Sequence, residues 1–99
     1  MTRKDNDFHV LEDKRTETGW ITATVDGHWF QAKVYDEPST FGVNGGRVSK
    51  LAVLKTETRD PNANFFDQCC YNYDRGLDFD NASDGLVSKI VRWCNELPQ

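Results

Sequence analysis

The chain of 99 residues is short of most things that would announce a function. It holds two histidines, three cysteines, three prolines and one methionine, and its mean hydropathy is −0.71. No apolar run approaches the ~18 residues of a membrane span, and the opening M-T-R-K-D-N-D has no apolar signal segment, so a cytosolic protein is expected. The cysteines Cys69, Cys70 and Cys94 make an odd set, and neighbours in sequence rarely bridge, which leaves reduced, buried thiols. There is no C-x-x-C pair, and His9 and His28 lie far apart, so no metal or cofactor site is expected. A formal net charge of −4 argues against broad attraction to nucleic acid or anionic membranes, while leaving room for a local basic patch.

What is present is a β-hairpin that can be read from the letters. W-I-T-A-T-V, then Asp26-Gly27, then H-W-F-Q-A-K-V-Y is two alternating runs joined by a dipeptide that suits a type I′ turn. With Asp26 and Gly27 as the loop, Val25 lies opposite His28, Ala23 opposite Phe30 and Ile21 opposite Ala32 on one face. That face is the core side. Trp20, Thr22 and Thr24 then oppose Lys33, Gln31 and Trp29 on the other, with Tyr35 beyond.

Around the hairpin the chain divides readily. Residues 1–18 are charged and threonine-rich with one apolar cluster, Phe8, Val10 and Leu11, and are expected to be a mobile extension or to add an edge strand. Residues 19–99 form one domain. Residues 36–46 are a glycine-rich loop, but no Gly-Lys-Ser/Thr follows and no helix starts at its end, so wide-turn geometry is favoured over phosphate binding. R-V-S-K-L-A-V-L-K-T reads as a third strand, Leu51 and Val53 on one face and Val48, Ala52 and Leu54 on the other, with a bulge near Ser49-Lys50 as the alternative. F-F-D-Q-C-C-Y-N-Y-D reads as the fourth, closing at Arg75-Gly76 with Gly76 expected at positive φ.

From Asn81 or Ser83 the period changes. Leu86, Val87, Ile90, Val91, Trp93, Cys94 and Leu97 recur at helical spacing, with Asn81 or Ser83 as cap, Asp84 at the positive end and Pro98 as stop. The expected fold is α+β: an antiparallel meander of four strands, or five, with one C-terminal helix packed on one face.

The string from Trp20 to Leu51, with N-Y-D-R-G at 72–76, resembles a family of small proteins encoded in bacterial and phage genomes. The match covers about half the chain and depends on the order of its motifs. The resemblance implies a short β-rich domain with a terminal helix and a mobile-element origin, and it carries no catalytic residue. The extension 1–18 and the longer connection leading to Cys69-Cys70 depart from it.

These residues suit three functions. Asp36 and Glu37, with Asp74, Arg75 and Asp78, supply carboxylates for an imagined small hydrolase, but no nucleophile motif accompanies them, so a non-enzymatic protein is expected. Trp20, Trp29, Lys33 and Tyr35 supply an aromatic face for a protein partner or a homodimer, or for ordinary cross-strand packing. The same aromatics with Lys33, Arg47, Lys50 and Lys55 supply a single-stranded nucleic-acid platform, which the acidic balance disfavours. N-A-S at 81–83 matches a glycosylation acceptor in letters only and is better read as a helix cap.

Overall fold

The computed structural model describes residues 7–40 and 42–97. At its centre the hairpin forms as the letters require: Asp26 and Gly27 take φ of 52° and 80°, and Trp20–Val25 (β2) pairs His28–Val34 (β3) in the expected register. Around them the sheet runs in sequence order through six antiparallel strands: His9–Lys14 (β1), β2, β3, Val48–Leu54 (β4), Cys69–Asp74 (β5) and Leu77–Asp80 (β6). A short helix, Phe65–Gln68 (α1), precedes β5, and Leu86–Asn95 (α2) closes the chain across one face. No helix among the described residues is long and apolar enough to cross a membrane.

The expected count of four or five strands is therefore corrected to six. Within the stretch 1–18, the edge-strand alternative is the one the structure forms, with β1 at one edge of the sheet, while residues 1–6 lie outside the described residues. Phe8 anchors it: its ring stacks on Trp93 of α2 at 4.4 Å, and both rings meet Phe30 edge-on near 6 Å. Lys89 of α2 adds contacts to Asp7 at 2.9 Å and Asp26 at 3.0 Å. At the other edge, L-D-F-D folds back beside β5 as β6.

Two further expectations change for local reasons. Phe65–Gln68 is helical because the Asn64 side chain accepts from the Asp67 amide at 3.1 Å and caps a single turn, so the strand begins only at Cys69. Val34 pairs Val48 while Lys33 pairs Lys50, which leaves Ser49 in a bulge. The bulge turns Val48 to the helix side with Leu51 and Val53, not to the side of Ala52 and Leu54.

The core lies between the sheet and α2, where Ile21, Ala23, Val25 and Phe30 meet Ile90 and Cys94, all nearly inaccessible. The helix is shorter than its sequence period suggested and starts from Gly85, whose φ of 81° sets the turn; no side chain caps it, and Asn81 and Ser83 do not serve as expected. The Ser83 carbonyl accepts from the Leu86 amide at 3.2 Å. Pro98, the expected stop, lies outside the described residues.

The other end of α2 is held by Arg47. Its Nε donates to the Tyr35 carbonyl at 2.7 Å, and its Nη1 donates to the carbonyls of Asn95 and Leu97 at 2.9 and 2.8 Å. A buried guanidinium thus satisfies carbonyls that the helix end cannot pair internally and places positive charge at the negative end of the dipole. The Asn95 side chain accepts from the Arg47 amide at 2.9 Å, and a Cβ on Gly46 would stand 2.9 Å from that same Oδ1. A Cβ on Gly42 would meet the Gly46 carbonyl oxygen at 2.0 Å. The glycine-rich loop, with a 3₁₀ turn at Val43–Gly45, is shaped for these approaches.

Candidate functional site: the uncovered sheet face

Strand parity puts Trp20, Trp29 and Lys33 on the face opposite α2, as expected from the hairpin. The structure then separates them. Trp29 is only 8% exposed, since Phe65 of α1 packs edge-on to it at 6.1 Å and the Arg59 guanidinium lies 5.7 Å from its ring. Ala52, Leu54, Cys69 and Phe79 complete a second, smaller core there. Trp29 is a structural residue beneath a flap, which sequence parity could not foresee because the flap comes from residues far along the chain.

Trp20 stays half-exposed at the other end of the same face. Directly opposed residues share a face, and following the pairs from strand to strand gives one row: Lys14, Trp20, Lys33, Lys50 and Asp74. Tyr35 lies just past the end of β3, 43% exposed, with Lys33 Nζ 5.7 Å from its ring centre. The adjacent row, Glu12, Thr22, Gln31, Ala52 and Asn72, is polar and small. Of the four expected contact residues, Trp20, Lys33 and Tyr35 are brought together and Trp29 is not.

Lys14 and Lys50 were outside the expected set, Lys50 having been considered only for nucleic acid. Their place could be found only by carrying the register across β1 and the Ser49 bulge. Lys14 reaches Glu12 at 3.6 Å and Lys50 reaches Asp74 at 3.7 Å, both as exposed ion pairs. Arg75 extends the row, its Nε 4.0 Å from Asp74. Arg75, not Gly76, takes the left-handed conformation, with φ of 56°, and its amide donates to the Ser49 carbonyl at 2.8 Å. Arg47, expected as a possible phosphate contact, is committed to the helix end instead.

The remaining chemistry-bearing groups have structural occupations. Burial pushes the thiol of Cys69 up to about 11, Cys70 alongside adding to the effect, and burial pushes that of Cys94 up to about 12. All three thiols are free and buried, and these two are held as protonated, weak nucleophiles at neutral pH. His28 donates from Nδ1 to the Leu54 carbonyl at 2.7 Å, tying the hairpin turn to β4. Among the described residues no group of three or more His, Cys, Asp or Glu side chains is placed to hold a metal ion.

Two clefts of about 310 Å³ each lie on the helix side of the sheet. One, between the glycine-rich loop and α2, is floored by Val43, Val87 and Val91 with Arg92 and Glu96 at its rim. The other, at the start of α2, is lined by Asp26, His28, Gly85 and Lys89, whose Asp26 and Lys89 already pair with each other. Neither touches the aromatic row.

Comparison with curated proteins and with solved structures gives no match to this chain. A family model does match, over residues 19–95, which takes in β2 through the last residue of α2. The chain belongs to the family described as Domain of unknown function (DUF7678), whose description assigns no activity.

Proposed function

We propose that this protein is a small, non-enzymatic interaction module, acting in the cytosol, that binds a protein partner through the uncovered end of its sheet. One observation carries the reading. A six-stranded sheet is covered by α2 on one face and by the α1 flap at one end of the other, and the end left open holds Trp20 and Tyr35 among lysines. Tryptophan and tyrosine supply large contact area at little entropic cost and are enriched where interfaces carry most of their energy. Trp20 is left partly exposed, whereas Trp29 is buried beneath Phe65.

The test is one variant compared with wild type. Trp20→Ala should keep the circular dichroism and cooperative unfolding of the wild type while losing a partner that wild type retains on affinity capture. Capture of the same partner undiminished by Trp20→Ala would reject this face as the interface.

A further inference from the structure

We propose that the partner contacts this face through an extended acidic segment laid along the cross-strand row of Lys14, Trp20, Lys33 and Lys50, with Arg75 at its end. The inference rests on the interaction reading above and specifies the chemistry of the partner.

Charge points to it. On a chain of net charge −4, four cations gather along this row against three neighbouring carboxylates, Glu12 and Asp74 beside it and Asp78 on Asn72 of the adjacent row at 3.2 Å. The internal pairs are long, at 3.6, 3.7 and 4.0 Å, and their side chains are a third to two thirds exposed. Exposed pairs of this sort contribute little, so each cation can exchange its neighbour for a partner carboxylate at little cost. Lys33, central in the row, sets its ammonium 5.7 Å from the centre of the Tyr35 ring. Arg75, in the turn between β5 and β6, adds a cation at the end of the row with its side chain two thirds exposed.

Dimensions select a segment over a globular surface. Five strands at ~4.8 Å spacing give a row of ~19 Å, and with the adjacent row the open patch is roughly 250 Å². Stable interfaces between folded proteins bury ~800 Å² on each side. A strip of that length fits about six residues of extended chain at ~3.3 Å each. A second copy is a poor occupant, since a twofold contact would set this lysine row against itself. A long polyanion such as nucleic acid would extend past the strip over a chain whose net charge is −4.

The experiment is fluorescence anisotropy with a fluorescein-labelled peptide of sequence Glu-Glu-Leu-Glu-Glu-Leu-Glu, beside its all-glutamine counterpart and a single-stranded oligothymidylate. The acidic peptide should bind at low salt, weaken severalfold on raising salt well above physiological strength, and lose at least tenfold affinity to Lys33→Glu. Arg75→Gly should weaken it about threefold while leaving the fold at least as stable. Equal binding of the glutamine peptide, indifference to Lys33→Glu, or tighter binding of the oligothymidylate would each overturn the proposal. Should the acidic peptide fail to bind while Trp20→Ala still abolishes partner capture, this inference falls and the interaction reading stands; should Trp20→Ala leave capture intact, the interaction reading itself falls.

Discussion

Replacing Trp29 with alanine should destabilise the domain by about 3 kcal/mol. An indole buries ~200 Å², which at ~25 cal/mol per Å² amounts to ~5 kcal/mol against an extended reference chain. Compact unfolded chains already bury 10–40% of such area, and Phe65 can settle partly into the space, which brings the figure to ~3 kcal/mol. For a domain of this size the corresponding fall in melting temperature is roughly 12–24 °C. The assay is urea unfolding followed by far-UV circular dichroism, with Trp20→Ala as the comparison. Trp20 is partly exposed and should cost less, about 1–2 kcal/mol. A loss below about 1 kcal/mol for Trp29→Ala would mean that the α1 flap does not cover the indole, and the division of the face into a packed end and an open end would be wrong.

Three other outcomes follow from the packing. Arg47→Met should cost about 2–4 kcal/mol in urea unfolding by stranding buried carbonyls of Tyr35, Asn95 and Leu97, and Arg47→Lys should recover less than half, since one ammonium cannot serve both Tyr35 and the helix end. Gly42→Ala should be more harmful than Gly46→Ala, because its Cβ meets backbone and the other meets a side chain that can turn; about 1–3 kcal/mol is expected for the first. Alkaline pH should unfold the protein through Cys94: an ordinary thiol at 9.0 ionises in the unfolded chain while the buried one holds its proton to about 12. The share of stability from this group is therefore intact below pH 9 and falls by up to ~1.4 kcal/mol per pH unit between those values; Cys94→Ala should remove that share of the slope in urea midpoints measured across pH 8 to 11 under reducing conditions, leaving the share of Cys69 and Tyr71, which burial pushes up to about 11 and about 12.

How much of this was legible in the letters varied with how each element is specified. The β2–β3 register could be read because Asp26-Gly27 fixes the turn, and the turn fixes the parity of every residue beyond it. Strand β1 was legible only as an alternative to a mobile extension, since all six of its residues are exposed and an edge strand of that kind has no buried period to display. β6 is four residues long, and α1 is a single turn too short for any helical period, so a run of two phenylalanines beside two cysteines looked like one strand. The helix pattern from Leu86 to Cys94 was plain, whereas its start was set by the backbone conformation of Gly85, which leaves no side-chain signature beyond the glycine itself.

The candidate site was legible to the same depth. Parity placed both early tryptophans on the correct face, and only tertiary packing from Arg59 and Phe65 decided that one of them is buried. The lysine row joins residues 14, 20, 33, 50 and 74, so it emerges only after four strand pairings are known, one of them through a bulge at Ser49.

Site-specific photocrosslinking tests the central claim most directly. With a photoreactive phenylalanine analogue replacing Gln31 on the open face, or Ser88 on the exposed side of α2, cells producing either variant would be irradiated and the adducts resolved by mass. A discrete adduct from position 31 and none from position 88 is the result expected of a partner seated on the sheet. An adduct from position 88 alone would move the interface to the helix side and contradict it.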